Sequence, residues 1–155
     1  MISDKDAREI DCLEELLVLR GVSIDQLRRC YARFLLKLVN SGIFRDVSND
    51  TMKIIDSCLN SAIARETIDK ADCSTKKHIS ELWEIEERRE AQNETGSRLA
   101  RCVIMCFATE KEWIESDSGE PTPLDYYLFL LARCAPDIPQ QFIMFFRGLL
   151  DAKKG

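Results

Sequence analysis

Apolar residues recur every three or four positions along almost the whole chain, and that spacing admits one kind of element. The clearest stretch sets Ile24, Leu27, Tyr31, Phe34, Leu35 and Leu38 on one helical face with charged residues behind them. No stretch alternates apolar and polar residues for long enough to make a half-buried strand. The expected class is therefore all-α, a compact bundle of six or seven largely antiparallel helices joined by short connectors.

Cap and stop residues divide the pattern. A first helix over about Asp4 to Arg20 carries Ile10, Leu13, Leu16 and Leu17 and stops at Gly21. Ser23 opens the second helix and Asn40-Ser41-Gly42 closes it. Ser48-Asn49-Asp50 precedes a third, expected to run to about Lys70 with Met52, Ile55, Leu59, Ala62 and Ile63 facing inward. Asp72-Cys73-Ser74 caps a fourth, whose short apolar patch is Ile79, Leu82, Trp83 and Ile85. A break is expected between Asn93 and Ser97 at Gly96, followed by a fifth helix from about Ser97 to Glu115, although the composition also tolerates one long bent helix. Thr122-Pro123 starts a sixth that must end near Ala135, because Pro136 restricts the residue before it. Asp137-Ile138-Pro139-Gln140 opens the closing helix, with Phe142, Ile143, Phe146, Leu149 and Leu150 as its apolar face.

A chain of 155 residues is long enough to bury one core without disulfides or metals, so a single domain over 1–155 is expected. Hydrophobic residues at 45% and charged residues at 32% exclude a disordered chain. Apolar stretches such as Val103 to Ala108 fall far short of the roughly 20 residues of a membrane span. The polar start Met1-Ile2-Ser3-Asp4-Lys5-Asp6 lacks the basic and apolar regions of a secretory signal, so the expected location is cytoplasmic. Of the seven cysteines, Cys30, Cys58, Cys102, Cys106 and Cys134 fall within apolar helical stretches, where a free thiol packs as a small hydrophobe.

The charge is unevenly spread. Between Glu81 and Glu120 eleven acids face five bases, giving that segment −6 in a chain of −5, so the remainder carries +1. Such a local field attracts a basic partner and speeds its encounter. The residues expected to line that contact are Glu86, Glu87, Glu90, Glu94, Glu112, Glu115 and Asp117. The competing reading is a solvated helix face with local pairs such as Glu84 to Arg88.

Other chemistry is weaker. Glu87-Arg88-Arg89-Glu90 and Glu112-Trp113-Ile114-Glu115 each place two carboxylates on one helical face, where paired helices can hold magnesium. This pattern is similar to that of the all-α nucleotide pyrophosphatases, which implies magnesium-dependent nucleotide hydrolysis. That family's second pair ends in aspartate where this chain has Glu115, and its supporting lysine and asparagine pattern is missing. A di-iron bundle needs two Glu-x-x-His motifs, and His78 is the only histidine. It reads as a surface residue in a first helical turn. Cys73, five residues before it, does not complete a thiol-protease signature, and Cys102 with Cys106 falls short of four zinc ligands. Arg29, Arg33 and Lys37, with Arg28 beside them, form a basic stripe, yet no aromatic ladder accompanies it and nucleic acid is not expected. Tyr126, Phe129 and Phe145 belong to an aromatic-rich end suited to an apolar interface.

These residues imply a non-enzymatic binding protein with no cofactor. Its most concrete form is a cytoplasmic immunity (antitoxin) protein that blocks a basic toxin such as a nuclease through its acidic surface. The alternative is an interaction adaptor or host-directed regulator that uses an apolar groove.

Overall fold

The computed structural model describes residues 4–44, 47–69, 71–87, 94–107, 132 and 137–152. Within them the chain is all-α, with no strand. The helices are α1 (Asp4–Leu19), α2 (Ile24–Ser41), α3 (Asn49–Ala64), α4 (Cys73–Glu87), α5 (Glu94–Met105) and α6 (Ile138–Ala152). None of them is long and apolar enough to cross a membrane.

The chain divides into two compact units. One is built from Met1–Ile24 with Glu110–Gly155, the other from Asp25–Thr109. In the first, α1 packs on α6. Gly21, at φ +62, ends α1, and the Val22 amide returns to the Leu17 carbonyl at 3.2 Å. Only glycine adopts that backbone turn cheaply. At the start of α6, Asp137 accepts the Gln141 amide at 3.2 Å through its carbonyl and the Gln141 side chain at 2.9 Å through its carboxylate. Ile138, Phe142, Ile143, Phe146 and Leu150 are buried, with Phe142 stacked on Phe146 at 4.4 Å. The Arg20 guanidinium donates to the Leu150 carbonyl near the end of α6, and Arg147 pairs with Glu9 at 3.6 Å.

In the second unit α4 and α5 form the most extensive pair, and α3 packs against both. The α2 stripe is buried as its spacing requires: Leu27, Tyr31, Phe34, Leu35 and Leu38 are each at most 2% exposed. Gly42, at φ +80, closes α2. Ser48 caps α3 by accepting the Thr51 amide at 3.3 Å. On α3 the buried residues are Thr51, Ile55, Cys58, Leu59 and Ala62, whereas Met52 and Ile63 are half-buried.

Two helices depart from the sequence reading at their boundaries. The third helix ends at Ala64, not near Lys70, because Arg65 turns extended at φ −91 and ψ 122. Its last carbonyls are taken from α2. Arg28 donates to Ala62 at 2.8 Å and to Arg65 at 2.7 Å, and Arg29 donates to Ile63 at 2.8 Å. Asp72 then starts α4, accepting the Thr75 amide at 3.2 Å while it pairs with Arg65 at 2.8 Å. The second departure is α5. It begins at Glu94, so Gly96 lies in its first turn and not in a break. It also ends at Met105 instead of running through to Glu115, tightening into three-residue turns in which Cys106 bonds back to Val103 at 2.9 Å and Phe107 to Ile104 at 3.0 Å. The expected sixth helix, with Tyr126 and Phe129, lies outside the described residues apart from Ala132.

Candidate functional site

The candidate acidic face belongs to α4. Leu82, Ile85 and Glu86 are buried, so the helix turns Trp83, Glu84 and Glu87 outward. Glu86 was expected on the contact surface, but it is 9% exposed. Its position one residue beyond Ile85 and four beyond Leu82 carries it into the packed side, and its carbonyl accepts the Ser97 hydroxyl of α5 at 3.2 Å. Glu87 is exposed. Glu94 stands at the start of α5, with its side chain outside the described set. Glu90, Glu112, Glu115 and Asp117 also lie outside the described residues.

Trp83 reads as core in sequence, yet it is 37% exposed, with the Arg101 guanidinium of α5 over its ring at 5.2 Å from the centroid. Such a stack contributes about 0.5–1 kcal/mol at an exposed site and holds the ring in place. α4 has no basic residue in its last turn, where Glu84, Glu86 and Glu87 crowd against the negative end of the helix dipole.

Behind this face lies a pairing that sequence spacing did not suggest. His78 is half-buried and not a surface residue: its Nδ1 lies 3.4 Å from the Cys58 Sγ, and its ring stacks on Phe107 at 5.9 Å. Cys58 belongs to the buried stripe of α3, and His78 shares a face of α4 with Thr75 and Leu82, so helix packing joins residues 20 apart. Cysteine–histidine proximity alone does not make a nucleophile. Burial pushes the Cys58 thiol up to about 12, and the Glu81 charge adds to the shift. The thiol therefore stays protonated at neutral pH, when a nucleophilic cysteine needs the opposite shift. Burial likewise pushes Cys106 well above its ordinary value, with Cys102 and Cys58 adding to the effect and Arg28 opposing it. Cys58, Cys102 and Cys106 are buried thiols outside any disulfide, as their apolar setting implied, whereas Cys30 is only half-buried and Cys12 and Cys73 are exposed. Among the described residues no group of three His, Cys, Asp or Glu side chains is placed to hold a metal ion.

The basic stripe of α2 is divided by the fold. Arg28 is fully buried and Arg29 is half-buried against α3, which leaves Arg33 and Lys37 exposed. An open groove of about 590 Å³ lies where α2 ends and α3 begins, and Val39, Phe44, Val47 and Met52 supply its apolar lining. On α6, Phe145 is half-buried and packs edge-on against Phe146 at 5.6 Å, while Met144 is 74% exposed. No protein-family model, curated protein or solved structure matches this chain.

Proposed function

We propose that this chain is a non-enzymatic binding protein, and that its most concrete role is that of a cytoplasmic immunity protein occluding a basic toxin such as a nuclease. One observation carries the reading: the segment from Glu81 to Glu120 holds −6, more than the whole chain's −5. The exposed Glu84 and Glu87 at the acidic end of α4 support it, and Glu86 is withdrawn from the contact set because it is buried. The mechanism is steric and electrostatic blockade, in which clustered carboxylates raise the encounter rate with a basic surface. The test is charge reversal at Glu87, Glu90 and Glu112, measured against the partner captured from the native host. About tenfold weaker binding is expected, with slower association and a larger effect at low salt. Unchanged affinity across the series would remove the acidic segment from the interface.

A second reading is an adaptor that takes an apolar partner helix. The open groove bordered by Val39, Phe44, Val47 and Met52, with Asn49, Lys53 and Asp56 also lining it, favours it. A complex insensitive to salt and weakened by Met52→Asp would support this reading over the first.

A further inference from the structure

The chain enters its second unit at Asp25 and leaves it at Thr109. Both crossings lie within three residues, along the sequence, of groups held by one side chain. Arg28 is 0% exposed, and its Nε pairs with Asp25 at 3.3 Å, three residues before it and at the entry itself. Its Nη1 donates to the Ala62 carbonyl at 2.8 Å and to the Cys106 carbonyl at 3.2 Å, and its Nη2 donates to the Arg65 carbonyl at 2.7 Å. A single planar fork thus joins the entry, the end of α3 and the end of α5, three residues before the exit.

We infer that Arg28 is a clasp that closes residues 25–109 into one cooperative body, which opens as a whole and separately from α1 and α6. A guanidinium taken out of water is tolerable only while its donors are bonded, so losing one acceptor weakens the case for keeping the rest. The three segments are therefore released together. The positive charge also lies at the carbonyl ends of α3 and α5, neither of which has a basic residue in its own last turn. Opening the clasp exposes two helix C-termini at once, and that couples them into a single sub-global transition. This inference holds whatever partner the protein takes.

Hydrogen exchange of the full chain in low urea, followed by mass spectrometry, tests it. In the unaltered protein the slow amides of α3, α4 and α5 should converge on one urea-dependent opening, distinct from that of α1 and α6. In Arg28→Met those amides should exchange at least tenfold faster as a group, while α1 and α6 change less than threefold. Arg28→Lys keeps the charge but loses the fork, and should give an intermediate acceleration in the same segments. Equal acceleration in α1 and α6 would overturn the separate body, and acceleration confined to the turns after Ala64 and Met105 would overturn the clasp. If Arg28→Met does not fold, the unaltered protein and Arg28→Lys decide by the same criteria.

Discussion

Arg28 and Arg29 are neighbours in α2 and read alike in sequence, yet one is sealed inside the second unit and the other lies half-buried across the end of α3. Burial draws the Arg28 guanidinium below its ordinary value, and the hydrogen bond and charge of Asp25 oppose that shift. Removing it leaves three carbonyls without their donor, so Arg28→Met should cost about 3 kcal/mol in urea denaturation, with Arg28→Lys costing less. Cys58 offers a pH test. Its folded-state thiol is raised to about 12, so its contribution to stability is complete below the unfolded value near 9. That contribution is lost as pH rises from there through 12, at about 1.4 kcal/mol per pH unit for one thiol. Cys58→Val should flatten this alkaline decline, and denaturation at pH 8, 9.5 and 10.5 would show whether it does. Thiol labelling at pH 8 should reach Cys12 and Cys73 first and Cys58, Cys102 and Cys106 last; rapid labelling of Cys58 would contradict its burial.

At the scale of elements, a shared rule governs where the helices stop. None of the six carries a basic residue in its own last turn. Three of their C-terminal ends are capped instead by arginines from elsewhere: Arg20 at α6, Arg28 and Arg29 at α3, and Arg28 again beyond α5. Caps read from local sequence predict starts better than stops, because a Ser48 or Asp72 acts on amides three residues away. Ser48→Ala should lower stability by about 1 kcal/mol, and Gly21→Ala by a similar amount because of its positive φ, both readable in thermal or urea melts. Asp72 acts with opposite pH sense to Cys58. The side-chain bond from Arg65 and the amide of Thr75 hold its carboxyl below the ordinary value, so its support of the α3–α4 connection is present above about pH 4 and lost as the carboxyl protonates in more acid solution.

At the scale of the whole molecule the dominant sequence feature is the charge imbalance, and the fold places only part of it. Glu87 faces outward at the end of α4 while Glu86, its neighbour, is buried. Consecutive helical residues point about 100° apart, so a run of glutamates cannot share one face. Association of this protein with a basic partner should therefore respond to Glu84 and Glu87 more than to Glu86. Neutralising each to glutamine and measuring association rates between about 0.05 and 0.3 M salt would test that ranking. A stronger response at Glu86 would mean that the partner reorganises α4.

The class and most helix starts were legible in the sequence, because periodicity and N-caps act over three or four residues. Leu27, Tyr31, Phe34, Leu35 and Leu38 are buried together for that reason. What only the tertiary structure decided is long in sequence and short in space. Arg28 left the basic stripe because carbonyls 34 and 78 residues away needed donors. α3 stops at Ala64, where Arg65 turns extended and the arginines of α2 meet its last carbonyls. His78 met Cys58 and not Cys73 because packing joins helix faces, whereas sequence proximity joins only neighbours. Glu86 turned inward because α5 lies on that side of α4. Each change satisfies a buried polar group or fills a helix interface, and neither requirement is visible until the helices are placed.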